Sequence, residues 1–210
     1  MLLFPHLRTQ DEARALAALA PVAAPHSLLV RRWAWPMPRQ WGSFGAGPGQ
    51  FNKPWGLATT AGGDIVVCDS GNDRIQVYRP DGMFVREWGS QGVALGQFRF
   101  PCCVAVSSTG DIYVADCHNN RIQVFGPDGG FLYSWGSDGR APGQFLCPNG
   151  VAVHGNLVLV SDQGNHRIQC FGLVGSFVRM WGSRGVAPGQ FKGAPPRPCS
   201  VGGRRGVCLR

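Results

Sequence analysis

At 210 residues the chain has room for one full hydrophobic core or two small ones, and its 44% hydrophobic content is ordinary for a globular protein. The formal charge of +8 is confined to the tails: Trp41 to Phe191 carries ten Lys or Arg against ten Asp or Glu, which excludes a strongly basic central region. The 31 glycines and 16 prolines fall mostly at repeated turn positions, so they mark loop chemistry and exclude low-complexity disorder.

Residues 1–38 contain no copy of any later phrase. Asp11 to Ala20 predicts a short helix ended by Pro21, and the segment reads as a lead-in that is helical in part or disordered. The apolar stretch from 13 to 30 is interrupted by Arg14, Pro21, Pro25 and His26, which argues against a membrane-spanning helix. Asp11 and Glu12 stand where a secretory signal needs a basic start. The eight cysteines follow neither the period of the repeat described next nor a C-x-x-C pattern. They read as reduced thiols packed as small apolar residues, and the chain is predicted to be cytoplasmic.

From Trp41 onward two phrases recur. Trp-Gly-Ser begins at Trp41, Trp88, Trp135 and Trp181, each followed by Gly-Gln-Phe ending at Phe51, Phe98, Phe145 and Phe191. Between these frames Asp-x-x-Asn-x-Arg-Ile-Gln begins at Asp69, Asp116 and Asp162, 47 and then 46 residues apart. The frames enclose three units, about 51–97, 98–144 and 145–191, within a domain spanning 39–192 that begins with one outer strand around Arg39 to Phe44. In the middle unit four strand-length runs, Val104 to Val106, Asp111 to Ala115, Arg121 to Phe125 and Phe131 to Trp135, are separated by Ser108-Thr109-Gly110 and Pro127-Asp128-Gly129 turns. Ile112 to Ala115 is apolar at consecutive positions, the pattern of a strand covered on both faces. The fold class is therefore all-β, a β-propeller with three four-stranded blades forming an incomplete or open ring.

The phrases Pro148-Asn149-Gly150-Val151-Ala152-Val153, Gly110 to Asp116 and Asn165-His166-Arg167 resemble the NHL repeat, over about residues 41 to 191. That resemblance implies a protein-interaction module of the kind found in tripartite-motif proteins. It also brings three alternatives: single-stranded RNA binding on a basic face, a substrate-binding part in a ubiquitin ligase pathway, and a metal-dependent lyase or hydrolase in the propeller channel. No spaced Cys/His zinc cluster is present to carry ligase activity. His118, His154 and His166 occupy non-equivalent positions, with Thr60 and Ser107 where His154 stands, so no converging metal set is expected. The chain is read as non-catalytic, without catalytic or metal-binding residues and without a cofactor.

Asp69 with Arg74, Asp116 with Arg121, and Asp162 with Arg167 recur identically and are read as architectural, because catalysis needs one asymmetric constellation. Partner binding is expected where the units differ, on the face formed by the inter-blade loops and the loops between second and third strands. Its candidates are Asn52, Lys53, Trp55, Asp73, Arg99, His118, Asn120, Arg140, His166 and Arg184. A protein partner is favoured, with RNA as the alternative and no membrane partner.

After Phe191 the phrases give way to Gly193-Ala194-Pro195-Pro196 and a basic tail over 193–210, predicted to be disordered. Three blades are fewer than a closed ring takes. The chain is thus expected either to be a fragment of a larger protein or to pair with a second copy into a six-bladed ring.

Overall fold

The computed structural model describes residues 40–191. The predicted helix near Asp11, the lead-in and the basic tail lie outside the described residues.

Within them the chain forms strands and short turns. A two-residue ladder, β1 (Ser43–Phe44) and β2 (Gln50–Phe51), comes first and is parallel. Three antiparallel meanders follow. The first is β3 (Pro54–Thr59), β4 (Ile65–Asp69), β5 (Arg74–Tyr78) and β6 (Phe84–Trp88). The second is β7 (Pro101–Val106), β8 (Ile112–Asp116), β9 (Arg121–Phe125) and β10 (Phe131–Trp135). The third is β11 (Pro148–His154), β12 (Leu157–Asp162), β13 (Arg167–Gly172) and β14 (Phe177–Trp181). Strand order equals chain order in each sheet, the signature of propeller blades. Among the described residues no helix is long and apolar enough to cross a membrane.

Of the outer strand expected around Arg39 to Phe44 only Arg39 lies outside the described residues; residues 40–42 are in no strand. What is seen at Ser43–Phe44 belongs to a recurring loop, because Phe44 pairs with Phe51 as Gln91 pairs with Phe98, Asp138 with Phe145 and Arg184 with Phe191, all parallel.

Both faces of β8 are covered, which explains its unbroken apolar run. Ile112 and Val114 join Val66, Cys68, Ile75 and Val77 of the first blade in one core. Tyr113 and Ala115 point the other way, into a core with Val151, Val158, Val160 and Phe171 of the third. Alternate residues of one strand thus serve two inter-blade cores. Burial pushes the Cys68 thiol up from its ordinary value, as suits a packing residue.

The framing phrase is a set of contacts. Gly89 has φ +98°, and a Cβ there would lie 2.5 Å from the Phe98 ring; Gly136 and Phe145 repeat the same approach. Ser90 accepts the Phe98 N–H on its carbonyl at 2.9 Å. Trp88 lies beneath the outer turn of the next blade, where a Cβ on Gly129 would meet its ring at 2.8 Å.

Candidate functional site

Each blade is locked by one carboxylate. Asp116 is fully buried and accepts four hydrogen bonds, from the Arg99 N–H (2.8 Å), Asn119 Nδ2 (2.8 Å), Arg121 Nε (2.8 Å) and Gln123 Nε2 (3.1 Å). Asp69 does the same with the Asn52 N–H, Asn72, Arg74 and Gln76, and Asp162 with the Leu146 N–H, Asn165, Arg167 and Gln169. The arginine reaches on to the framing loop, so that Arg121 donates to the carbonyls of Val93, Ala94 and Gln97 at 2.8 Å. Burial pushes the Asp116 carboxyl up, and the Arg99 N–H, Asn119 and Arg121 oppose that rise. These polar side chains are saturated internally.

The turn that follows each aspartate ends in a left-handed residue: Asp73 (φ 52°), Asn120 (φ 53°) and His166 (φ 53°). Asp and Asn tolerate this region well, and their side chains then reach the next blade. Asp73 Oδ1 accepts the Phe100 N–H at 2.7 Å, and Asn120 Oδ1 accepts the Cys147 N–H at 2.8 Å. The buried Nδ1 of His166 has no hydrogen-bond partner among the described residues.

The two loop sets do share one face. The His118 N–H bonds the Arg99 carbonyl at 3.1 Å, Gly71 N–H bonds Asn52, and Gly164 N–H bonds Leu146, both at 2.8 Å. On this face the predicted candidates divide into two groups. Asn52, Asp73 and Asn120 are held by internal hydrogen bonds, Asn120 Nδ2 also donating to Asp138 Oδ1 at 3.2 Å. Lys53, Trp55, Arg99, His118, Arg140, His166 and Arg184 make no side-chain hydrogen bond or ion pair among the described residues.

Two of these cluster around Phe100. The His118 ring stacks on Phe100 at 5.2 Å and 14°, and Trp55, 63% exposed, lies 6.3 Å from the same ring. Desolvation lowers the His118 pKa, Asp73 and Asp116 raise it, and Arg99 lowers it further. Lys53 and Arg99 are exposed on the same loops. A second group lies on the third blade, where Arg140, His166 and Arg184 line a cleft of about 420 Å³ with Gly164, Asn165 and Arg167.

Sequence reasoning named these residues singly but missed the cleft, since its two exposed arginines stand 44 positions apart. Aligning the blades gives the signal: Arg140 and Arg184 replace Val93 and Asp138 of the preceding blade. Among the described residues no group of three or more His, Cys, Asp or Glu is placed to hold a metal ion.

A protein-family model described as NHL repeat matches residues 51–78, 98–125 and 145–171. The chain is similar to B-box type zinc finger protein ncl-1 of Caenorhabditis elegans, 49% identical over 45 residues, covering 21% of this chain and 5% of that protein. It is also similar to E3 ubiquitin-protein ligase TRIM71 of Rattus norvegicus, 46% identical over 43 residues, covering 20% of this chain and 5% of that protein. Among solved structures, the RRP9 WD40 repeats superpose with a TM-score of 0.51 at 14% identity, covering 60% of this chain and 38% of that chain, a likeness of fold alone. The matched segment spans about a twentieth of the length of these curated relatives.

Proposed function

From a chain that carries three NHL repeats on three propeller blades, we propose a non-catalytic protein-interaction module that binds through the face bearing Lys53, Trp55, Arg99, Phe100 and His118. One observation carries this reading. The polar residues that recur in every blade are consumed by the frame, whereas on this face exposed aromatic and basic side chains make no side-chain hydrogen bond or ion pair among the described residues. Exposed Trp and Arg are the residue types that anchor protein interfaces. The domain is taken to span 39–192, and a role as the substrate-binding part of a ubiquitination system would follow the relative named a ubiquitin ligase.

A photo-crosslinking residue at Lys53 or Arg99 should yield discrete protein adducts in cells, and one at Asp64 or Asp81, in the loops of the opposite face, should not. Equal labelling from both faces would sink the proposal. The second reading, single-stranded RNA, is favoured by the Phe100–His118 stack flanked by basic residues and opposed by the neutral charge of the repeat region. Adducts that vanish on nuclease treatment, with binding that weakens steeply in salt, would select it.

A further inference from the structure

We infer that the cleft on the third blade, between Arg140, His166 and Arg184, binds a phosphomonoester carried on a protein partner, that is, a segment containing phosphoserine or phosphothreonine. The inference rests on the interaction-module reading but uses a different group of residues.

Arg140 lies in the loop after β10, Arg184 in the loop after β14, and His166 closes the turn between β12 and β13. The third arginine of the cleft is already neutralised. Arg167 Nε lies 2.7 Å from Asp162, and its other nitrogens bond the carbonyls of Arg140, Ala141 and Gln144. Neither Arg140 nor Arg184 forms an ion pair among the described residues; those found involve Arg74, Arg121 and Arg167. Two uncompensated guanidinium groups therefore line one concave site.

The other blades show that the frame does not require them. At the positions of Arg140, His166 and Arg184 the second blade has Val93, Asn120 and Asp138, and there the amide bonds the carboxylate at 3.2 Å. The first blade has Ala46, Asp73 and Gln91. A structural requirement recurs with the repeat, as Asp116 and Arg121 do. Here the backbone frame is kept and the sign of the charge is reversed in one blade, leaving positive charge that no acidic side chain among the described residues pairs with.

The chemistry selects the kind of anion. Guanidinium forks bind phosphate oxygens in pairs, and a phosphomonoester concentrates about 1.5 to 2 negative charges on one group at neutral pH. An RNA strand distributes single charges along its length and relies on aromatic rings to stack its bases. No Phe, Tyr or Trp lines this cleft, and the exposed Trp55 and the Phe100–His118 stack belong to the loops of the preceding blades.

The test is an NMR titration of the 15N-labelled 210-residue chain with a phosphoserine pentapeptide, its unphosphorylated twin and oligouridine, repeated on Arg140→Ala and Arg184→Asp. The phosphopeptide should shift the Arg140 and Arg184 side-chain signals and bind at least about tenfold more tightly than its twin. Each variant should remove that difference while unfolding at the wild-type temperature, since neither side chain has a hydrogen-bond or ion-pair partner among the described residues to lose. Equal binding of the two peptides, or indifference of both variants, overturns the site. Tighter binding of oligouridine, lost in the same variants, overturns the peptide assignment in favour of a phosphodiester. If Lys53 and Arg99 crosslinks persist while the phosphopeptide fails, this site alone falls; if the crosslinks also fail, the interaction module falls with it.

Discussion

Asp116 holds its position by gathering four donors that would otherwise be stranded in the interior. Replacing it with alanine leaves the Arg121 guanidinium without its counter-charge, and breaking a buried pair from one side costs about 3–5 kcal/mol. Total stabilities of domains run to about 5–15 kcal/mol, so Asp116→Ala should lose a large part of the folding free energy in denaturant unfolding. A loss under about 1 kcal/mol would mean that the clamp behaves as a surface pair. His118 gives a pH prediction on the same loop. Its folded pKa is lowered from 6.5 by desolvation, so below that value the unfolded chain binds more protons than the folded one. Stability is then fully present above the unfolded pKa and lost as pH falls toward the folded one. His118→Gln should lower the loss of melting temperature between about pH 7.5 and 5.5, and an identical loss in both proteins would refute the assignment.

At the scale of the strand, one repeat position appears in three blades and two environments. Leu57 on β3 is 69% exposed, whereas its counterparts Val104 on β7 and Val151 on β11 are 4% and 7% exposed because a preceding blade covers them. Val104→Ala should therefore cost about 2 kcal/mol, and Leu57→Ala should stay within about 0.5 kcal/mol of wild type, measured by the same unfolding midpoints. Equal costs would mean that β3 is covered in solution. The strands themselves were legible in the sequence, because a two-sided apolar run such as Ile112 to Ala115 has few other uses and its turns carry glycine at the required positions. The division among the site candidates was not. Asn52, Asp73 and Asn120 read as exposed loop residues, yet they bond backbone and side-chain groups of their own or the next blade, contacts invisible until the blades are stacked. The cleft of Arg140 and Arg184 escaped for the same reason, since convergence across two loops depends on the rotation from blade to blade.

For the assembly of blades, the third one shows what a neighbour contributes. Phe98 and Phe145 are fully buried, while Phe191 is 38% exposed, and Phe177, Val178 and Trp181 on β14 are exposed as well. A second copy of the chain is poorly suited to cover this face. Each copy brings its own framing loop, in which Phe51 already packs 5.4 Å from Tyr78, and that loop would compete with Gly182 to Phe191 for one place. Light scattering should accordingly show no discrete species of twice the chain mass. A blade delivered by the same chain after Phe191 meets no such conflict. In repeat architectures stability is close to a sum of units and nearest-neighbour interfaces. Appending a further copy of residues 146–191 directly after Phe191, which itself stands where Phe145 does, should therefore raise the melting temperature by at least about 4 °C, through burial of Phe191 and its neighbours. The control is an appended copy with Val151→Asp at its inner strand, which keeps the added length but spoils the apolar contact. If both extensions melt alike, the exposed face of the third blade is not an inter-blade surface, and the open side of the ring needs another explanation.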